Sequence, residues 1–374
     1  MNKKIIFLVT EDWYFLSHRL PIALACQKEG YEVFIACKDT GQFNKIKEYG
    51  FKCFNLKVQR GNISLFSILK NILEIRKIIK ASEASFLHAV SIQSIILGLL
   101  ATIFNQNIKF IAAVTGLGSL FLARNLKARL IKLFINLFLI ICFQKKNIRV
   151  IVQNKDDKYF VNKILLCPLY KISLIRGSGI DINYHKAQPE PIFPPIVISY
   201  VGRIIQDKGI ENLIKAFRLV HKVNKNVKLL LVGSVDKNNI RPISEKFITE
   251  NNLNHNIEFV GEVEDIREIW KMSHIAILLS KREGLPKSLL EAAAAGRAII
   301  SSDVPGSREI AIQSINAELV KLEDTNAIVK AILYLSKNNE VRKSYGIKSR
   351  KLVESDMSED EVIKNTLSLY QGFK

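Results

Sequence analysis

Short apolar runs of strand length recur along the chain, and segments with a helical spacing of apolar residues separate them. The predicted strands of the first half are Ile5–Val9, Val33–Cys37, Cys53–Leu56, Phe86–Ala89, Phe110–Val114 and Val150–Val152. Those of the second half are Ile196–Val201, Lys228–Val232, Ile257–Val260, Ile275–Leu279 and Ala298–Ser301. The predicted helices cover residues 19–29, 63–81, 92–104, 210–224, 241–252, 264–273 and 286–295. Continuous apolar strands alternating with helices predict an α/β fold of doubly wound parallel sheets.

A proline-rich stretch divides this pattern into two predicted domains. A chain of 374 residues is long enough for two domains of roughly 100–200 residues each. Residues 187–195 contain four of the nine prolines, which neither a helix nor a central strand tolerates. We therefore predict Rossmann-like domains at 1–186 and 196–357, joined by a linker at 187–195. A final helix at 358–374, with no strand after it, is expected to pack back on the first domain.

The charge of the chain is concentrated in its first half. The sequence has 55 Lys and Arg residues against 35 Asp and Glu, a formal net charge of +20. Residues 1–190 hold 28 of the basic and 12 of the acidic residues, a net charge of +16. Such an excess favours binding to nucleic acid, to an acidic membrane or to an anionic substrate.

The cysteines and the amino terminus indicate a cytoplasmic protein. Five is an odd number of cysteines, and no two of them have the C-x-x-C spacing of a redox or zinc site. We expect them to be reduced core residues: Cys26, Cys37, Cys53, Cys142 and Cys167. Only five apolar residues precede Glu11 and Asp12, too short a run for a signal peptide.

One longer apolar segment, Leu133–Phe143, lies in a strongly basic region. A helix of these 11 residues is roughly 16 Å long, about half the hydrocarbon thickness of a bilayer, and it cannot span. Seven basic residues and no acidic residue lie between positions 123 and 150: Arg124, Lys127, Arg129, Lys132, Lys145, Lys146 and Arg149. This pattern favours a helix on an anionic membrane surface. A buried core helix with solvated ends is the alternative.

The clearest candidate for chemistry is the loop between the predicted strand 275–279 and the helix 286–295. It contains Glu283, Gly284 and Pro286, and Glu291 follows within the helix. A glycine loop that leads into a helix amino terminus favours an anion, through its free N–H groups and the helix dipole. Two carboxylates beside an anion site are suited to accepting hydrogen bonds from sugar hydroxyls.

A second loop, after the strand 196–201, supplies cations. Arg203 leaves the strand and Lys208 precedes the next predicted helix. Arginine and lysine at these positions can neutralise a diphosphate without a metal. Neither Asp-x-Asp nor His-x-x-x-His spacing occurs in the sequence. We therefore expect a metal-independent phosphate site with no cofactor.

These residues resemble the retaining glycosyltransferases of family 4, which have the GT-B fold. Glu283 to Glu291 matches the E-x7-E motif of that family, and Gly202-Arg203 with Lys208-Gly209 resembles its pyrophosphate-binding G-R-x4-K-G sequence. Four first-half segments resemble a bacterial subgroup that builds lipopolysaccharide, capsule or lipid-linked oligosaccharides: 12–21, 115–118, 153–154 and 177–181. The resemblance implies two Rossmann-like domains that face each other across a cleft.

The resemblance also implies roles for individual residues. Glu291 would hold the ribose hydroxyls, Glu283 would contact the transferred sugar, and Arg203 with Lys208 would stabilise the departing diphosphate. The implied donor-binding set is Gly202, Arg203, Lys208, Glu283, Gly284, Leu285 and Glu291. The expected donor is a nucleotide sugar, a UDP-sugar in particular. The expected acceptor is a polyprenyl-diphosphate-linked glycan at the cytoplasmic face of the inner membrane.

Five first-half residues are candidates for the acceptor side. His18 and Arg19 are expected to begin the first helix, where His18 could orient a sugar hydroxyl and Arg19 could bind a phosphate of acceptor or donor. His88 is expected at the end of a strand, and Thr115 with Gly116 in a loop whose glycine permits close approach to a ligand. Solvated histidines and a plain turn are the simpler interpretations.

No carboxylate of the first half is a clear candidate for a nucleophile. For a retaining enzyme this favours front-face attack, in which the leaving diphosphate helps to deprotonate the acceptor.

Two other functions are alternatives to glycosyl transfer. A nucleotide-sugar epimerase of related fold would need other carboxylate and histidine patterns. A nucleic-acid-binding protein would suit the charge, but the sequence lacks a basic–aromatic motif, a helix-turn-helix and a zinc pattern.

Overall fold

The chain forms two compact units. The computed structural model describes residues 3–57, 65–116, 126–192, 194–236, 242–252 and 256–373, without the side chains of residues 65, 127 and 128. Unit 1 comprises Met1–Ser178 and Asp360–Lys374, and unit 2 comprises Gly179–Glu359. Each unit contains one parallel sheet with helices on both faces, which confirms the predicted fold class.

The sheet of unit 1 has seven strands within the described residues. They are β1 (Lys4–Glu11), β2 (Glu32–Lys38), β3 (Lys52–Asn55), β4 (Phe86–Val90), β5 (Lys109–Val114), β6 (Ile148–Val152) and β7 (Ile172–Leu174). Their order is β3-β2-β1-β4-β5-β6-β7, and every neighbouring pair is parallel. The central strands are buried on both faces, which is why they are continuously apolar in the sequence.

Helices connect these strands and cover both faces of the sheet. They are α1 (Asp12–His18), α2 (Leu20–Lys28), α3 (Phe43–Glu48), α4 (Leu65–Ser82), α5 (Ile92–Ala101), α6 (Leu126–Phe143) and α7 (Lys155–Lys163). Residues of α4, α5 and α6 belong to one apolar core, and residues of α1, α2 and α3 belong to another on the opposite face.

Unit 2 contains six strands within its described residues. They are β8 (Ile196–Val201), β9 (Val227–Val232), β10 (Ile257–Gly261), β11 (Ile275–Leu278), β12 (Ala298–Ser302) and β13 (Ala317–Val320). The order β10-β9-β8-β11-β12-β13 is parallel throughout. The helices are α8 (Ile210–Val223), α9 (Glu245–Asn251), α10 (Ile266–Met272), α11 (Lys287–Ala294), α12 (Ser307–Ile310), α13 (Thr325–Lys337) and α14 (Asn339–Asp356).

The last helix, α15 (Glu359–Gln371), returns to unit 1. Its apolar residues join the core that lies against β1, β4 and β5. The Tyr370 hydroxyl lies 2.5 Å from His88 Nδ1, and Lys109 Nζ donates to the carbonyl of Phe373 at 3.1 Å. The carboxyl-terminal helix therefore packs within unit 1.

The proline-rich stretch 187–195 is part of unit 2, so the boundary between the units lies before it. Arg342 donates to both carboxylate oxygens of Glu190, at 2.5 and 3.0 Å. Arg297 Nη2 donates to the carbonyl of Pro189 at 3.0 Å. The prolines prevent a helix or strand here, but buried arginines bind the backbone and the carboxylate of the stretch and hold it on the unit. Phe193 lies outside the described residues.

The apolar segment 133–143 lies within α6, which has one buried face and one exposed face. Leu139, Cys142 and Phe143 are buried against the sheet. Large apolar side chains on the opposite face are exposed: Leu126, Leu130, Leu133, Phe134, Leu137 and Ile141. In the described part of the chain, no helix has the length and apolarity needed to cross a bilayer. The helix is therefore apolar on its core side and along much of its outer side.

We predict that breaking the Arg342–Glu190 pair destabilises unit 2. Glu190→Ala leaves the buried Arg342 guanidinium without its carboxylate, so the free energy of unfolding should fall by about 3 kcal/mol in urea denaturation. Glu340→Ala is the matched control, because it removes an exposed carboxylate 3.8 Å from Lys343 and should have little effect. Equal effects of the two substitutions would contradict this role for Glu190.

Candidate active site

Glu283 and Glu291 occupy different environments beside the start of α11. The loop after β11 contains Glu283, and α11 begins at Lys287, directly after Pro286. Glu291 lies in the second turn of α11 and is only 8% exposed. Burial raises the pKa of Glu291 to about 7, although the nearby Lys287 charge opposes this shift. Glu291 is thus a buried carboxyl group near its point of ionisation at neutral pH.

Lys208 and Glu283, which lie 75 positions apart, form an ion pair. Lys208 Nζ donates to Glu283 Oε1 at 2.5 Å, and both side chains are largely buried. Lys208 ends a short 3-10 turn, Gln206–Lys208, in the loop after β8. Because β8 and β11 are neighbours in the sheet, the loops at their carboxyl ends meet. The backbone N–H of Lys281 also donates to the carbonyl of Asp207, at 2.9 Å.

Two glycines permit the close packing of these loops. Gly209 has a φ of +68°, and a Cβ there would collide with the carbonyl of Leu279 at the end of β11. Gly306, in the loop after β12, has a φ of +82° and lies against the carbonyls of Glu283 and Gly284. A side chain at either position would displace the loop that carries Glu283. The local sequence pattern does not indicate this role of Gly306, because the contact joins loops that are distant in the sequence.

Arg203 is held by two partners that the sequence motifs do not indicate. Its Nη1 donates to Asp236 Oδ2 at 2.8 Å, and the buried Tyr200 hydroxyl donates to its backbone carbonyl at 2.7 Å. Backbone hydrogen bonds join the two loops concerned, for example from Ile204 N to the carbonyl of Ser234 at 2.8 Å. Arg203 is therefore oriented, and its side chain remains 40% exposed. Asp236 is recognised as a partner of Arg203 only from the contact between two loops that are distant in the sequence.

The predicted donor residues thus lie on the carboxyl side of adjacent strands in unit 2. Gly202, Arg203 and Lys208 follow β8, whereas Glu283, Gly284 and Leu285 follow β11. Leu285 packs against the core of the unit and so anchors the loop. In parallel sheets, ligands bind at this edge of the strands. The structure therefore brings two cations, two carboxylates and a helix amino terminus together at one edge.

The predicted environment of His18 and Arg19 differs from the observed one. The helix α1 begins at Asp12, so His18 is its last residue and Arg19 joins it to α2. The Asp12 carboxylate accepts hydrogen bonds from the backbone N–H groups of Thr40 and Gln42, at 2.6 and 2.9 Å, which fixes the start of α1 against the loop after β2. Burial alone would raise the pKa of Asp12, but these hydrogen bonds stabilise the carboxylate and lower its pKa below the ordinary value.

The side chains of His18 and His88 are held by unit 1. His18 stacks on the ring of Tyr14 at 4.4 Å, and its Nδ1 lies 2.6 Å from Ser17 Oγ. His88 was expected to end a strand, but it is the middle residue of β4 and is 1% exposed. Its ring stacks on Phe7 at 5.2 Å. An apolar strand buried on both faces makes His88 a core residue, so direct contact with an acceptor does not fit its burial.

Thr115 and Gly116 follow β5, in the loop at its carboxyl end. Gly116 has a φ of +112°, a conformation that L side chains rarely adopt. The rest of the predicted motif, residues 117 and 118, lies outside the described residues, as do Arg124 and the side chain of Lys127. Among the side chains that the structure describes, no three His, Cys, Asp or Glu residues are grouped so as to hold a metal ion.

Two family models match the two halves of the chain. Residues 4–154 match a model described as Glycosyl transferase 4-like, and residues 184–352 match one described as Glycosyl transferases group 1. The chain belongs to the family 4-like glycosyltransferases. The second match includes every predicted donor residue, and the first includes every predicted acceptor-side residue.

Curated relatives of this glycosyltransferase match it over most of their length. The Campylobacter jejuni N,N'-diacetylbacillosaminyl-diphospho-undecaprenol alpha-1,3-N-acetylgalactosaminyltransferase is 26% identical, over 88% of this chain and 90% of its own. The Staphylococcus aureus capsular polysaccharide biosynthesis glycosyltransferase CapM is 25% identical, over 100% and 98%. An Escherichia coli UDP-Gal:alpha-D-GlcNAc-diphosphoundecaprenol alpha-1,3-galactosyltransferase is 24% identical, over 82% and 80%.

Solved glycosyltransferase structures share the fold. One from Rickettsia africae has a TM-score of 0.78 at 20% identity and covers 100% of this chain and 99% of its own. Anabaena HepE, solved in complex with UDP and glucose, has a TM-score of 0.74 at 14% identity and covers 100% of both chains. With the two parallel sheets, these similarities confirm the GT-B fold of this glycosyltransferase.

We predict that Glu291 makes the glycosyltransferase less stable at alkaline pH. Its pKa lies at about 7 in the folded chain, against an ordinary value of 4.5, so the folded state retains a proton that the unfolded state has released. Stability should therefore fall as the pH rises from about 4.5 past 7. The uncharged Glu291→Gln variant should avoid this loss and exceed the wild type at pH 8 by up to about 3 kcal/mol.

The two proteins should be equally stable near pH 4 in denaturant unfolding. Glu323→Gln, at an exposed carboxylate of the same unit, should not reproduce the effect. A Glu291→Gln variant that is less stable than the wild type at pH 8 would show that the buried carboxylate is not the destabilising group.

Proposed function

We propose that this glycosyltransferase retains the anomeric configuration as it transfers a hexose or N-acetylhexosamine from a UDP-sugar. The proposed acceptor is a polyprenyl-diphosphate-linked glycan or a related precursor of a surface polysaccharide. The observation that carries the proposal is the pair of carboxylates in unit 2, one buried on α11 and one bonded to Lys208, beside the oriented Arg203.

The two carboxylates would divide the recognition of the donor. Glu291, buried and close to its point of ionisation, would accept hydrogen bonds from the ribose hydroxyls, which replace the water that burial has removed. Glu283 would contact the transferred sugar, while the Gly284 and Leu285 backbone N–H groups lie in the same loop. Lys208 already pairs with Glu283, so the sugar and the diphosphate would meet where the two loops touch.

Arg203 and Lys208 would stabilise the charge that develops on the departing diphosphate. Preorganised cations of this kind are effective, because they need no rearrangement as the bond to the sugar breaks. Asp236 and Tyr200 keep the Arg203 side chain and backbone in place. With two cations at the site, the transfer is proposed to be independent of a metal ion.

Front-face attack is the mechanism that we propose for retention. The acceptor hydroxyl would approach the anomeric carbon on the side that the diphosphate leaves, and a diphosphate oxygen would take its proton. No carboxylate of unit 1 was identified as a nucleophile, and Glu283 is engaged by Lys208. His18 would orient an acceptor hydroxyl. A covalent glycosyl-enzyme trapped on any side chain would contradict this mechanism.

The relatives support the choice of donor and acceptor. Two act, by name, on sugars linked to diphospho-undecaprenol, and one of these uses UDP-Gal. The Anabaena structure of the same fold contains UDP.

The proposed assay is a panel of nucleotide sugars with lipid-linked acceptors, read by mass spectrometry. One UDP-sugar should add one sugar mass to a diphosphate-linked acceptor. Transfer from no nucleotide sugar to any lipid-linked acceptor would contradict the proposal.

We predict that Glu291→Ala weakens UDP binding by at least about tenfold, because it removes the acceptor of the ribose hydrogen bonds. Isothermal titration with UDP measures the effect. The exposed carboxylate of Glu323 in the same unit provides the control, and Glu323→Ala should bind UDP as the wild type does. Undiminished affinity in the Glu291→Ala variant would contradict the role assigned to this residue.

The exposed face of α6 supports peripheral association with the cytoplasmic face of the inner membrane. Phe134 and Ile141 are 68% and 69% exposed, and Arg129 and Lys132 lie on the same helix. No acidic residue occurs in α6. A basic, apolar surface of this kind suits an anionic bilayer. Three further basic residues, Lys145, Lys146 and Arg149, follow α6 directly, the first two of them before β6.

Part of α4 has an exposed surface of the same kind. Phe66, Leu69 and Leu73 are exposed at a helical spacing, and the exposed Lys70 and Lys77 lie among and beside them. α4 and α6 pack against the same core, so they cover the same face of the sheet. Their exposed apolar residues lie mainly in the first half of each helix, toward the carboxyl end of the strands. The proposed membrane surface therefore includes both helices.

We predict that Phe134→Ser with Ile141→Ser weakens binding to phosphatidylglycerol-containing vesicles by at least about tenfold, because two large apolar side chains no longer enter the lipid. Flotation measures the bound fraction. Val223→Ser with Ile347→Ser, at apolar residues of unit 2 that are 69% and 60% exposed, is the control and should float as the wild type does. Flotation that does not depend on anionic lipid would contradict the membrane surface.

A further inference from the structure

Arg19 is a buried cation with very few partners. It joins α1 to α2 and is 6% exposed. Its Nη1 donates to the carbonyl of Gly177 at 3.4 Å, a long hydrogen bond, and its buried Nε has no hydrogen-bond partner. Within the described residues, no carboxylate forms an ion pair with Arg19. Most of the hydrogen-bonding capacity of this guanidinium is therefore unused.

Other buried cations of the chain are well satisfied. Lys171 donates to three backbone carbonyls at the end of α6, at 2.8 to 2.9 Å. Arg297 donates to two carbonyls, at 2.8 and 3.0 Å. Arg342 binds the Glu190 carboxylate through two nitrogens and the carbonyl of Leu335 through a third. Arg19 is 6% exposed, against 1 to 3% for these residues, but it lacks a comparable set of acceptors, which indicates that its acceptor is a ligand.

The position of Arg19 fits a ligand site. Gly177 follows β7, so its carbonyl lies toward the carboxyl end of the strands, the edge at which parallel sheets bind ligands. A second buried polar atom without a partner, His88 Nε2, lies in the same region. Burial, with a contribution from the Arg19 charge, lowers the pKa of His88 well below its usual range. His88 is therefore neutral and adds no second positive charge beside Arg19.

We propose that Arg19 binds a phosphate group of the diphosphate-bearing acceptor, an assignment that rests on the proposed function. Phosphate oxygens are strong acceptors for a guanidinium, and they would supply the negative charge that the buried side chain lacks. The donor diphosphate already has Arg203 and Lys208 in unit 2. Arg19 belongs to unit 1 and provides the corresponding cation for the second substrate.

The test compares two acceptors that carry the same sugar. One is the polyprenyl-diphosphate-linked sugar, and the other is its alkyl glycoside, which has no phosphate. Arg19→Met should raise KM for the diphosphate acceptor at least about tenfold and leave KM for the alkyl glycoside and for the UDP-sugar unchanged. Arg19→Lys should recover part of the loss. Arg218→Met, at an exposed arginine of α8, changes the net charge equally and should have no effect.

Thermal unfolding separates binding from a structural role. If Arg19 binds a ligand, its buried charge is uncompensated in the ligand-free protein. Arg19→Met removes that charge, so the Tm of the ligand-free protein should stay unchanged or rise. Arg342→Met removes a satisfied buried cation and should lower the Tm. A Tm that falls as far in Arg19→Met as in Arg342→Met would assign Arg19 to the fold alone and overturn the proposal.

Inorganic pyrophosphate provides a test that does not require the correct sugar. In an Arg203→Met, Lys208→Met background, which lacks the donor cations, pyrophosphate should still raise the Tm, and adding Arg19→Met should abolish the shift. No shift in the background variant overturns the Arg19 site even if glycosyl transfer is observed. An increased KM for the UDP-sugar in Arg19→Met would place Arg19 on the donor and also overturn it.

Discussion

Parallel strands place all their carboxyl ends at one edge of a sheet, and the candidate donor site depends on this constraint. In unit 2, β8 lies beside β11, so the loops that follow them meet although 75 residues separate Lys208 from Glu283. Gly209 and Gly306 allow the loops to approach without a side chain between them. The same edge also receives the amino terminus of α11. Strand order thus determines which charges lie together before any ligand is bound.

Two buried charged groups at the candidate sites, Glu291 and Arg19, have fewer protein partners than the buried cations that hold the fold together. Arg297, Arg342 and Lys171 are buried cations that each donate to two or more acceptors, and they hold elements of the fold together. Glu291 and Arg19 are also buried, but burial raises the pKa of Glu291 and Arg19 lacks a counter-charge. Such groups destabilise the free protein, so their presence is best explained by a substrate that completes them.

The fold class was predicted correctly from the sequence for a physical reason, whereas the donor-binding role of the two loops stays a prediction. All eleven predicted strands occur in the structure, and most of them are continuously apolar because they are buried on both faces, unlike the edge strands β3 and β10. The three-residue β7 and the four-residue β13 were missed because short strands with polar residues have no such pattern. The donor residues were predicted from short-range motif spacing, which survives in a single sequence.

Long-range contacts account for features of the structure that the local sequence pattern did not indicate. The helix α1 begins at Asp12 because that carboxylate binds the loop at Thr40, 28 residues away. The proline-rich stretch joins unit 2 because Arg342, 152 residues from Glu190, binds it. Asp236 reaches Arg203 across two loops. None of these partners is marked by local composition or periodicity.

The anomeric configuration of the product tests the central claim most directly. A UDP-sugar with an α-linked sugar, a diphosphate-linked acceptor and the wild-type enzyme should give an α-linked product and one UDP for each sugar transferred. Proton NMR of the anomeric signal, with quantification of released UDP, measures both quantities. A β-linked product would contradict retaining transfer, and sugar transfer without release of UDP would contradict the proposed donor.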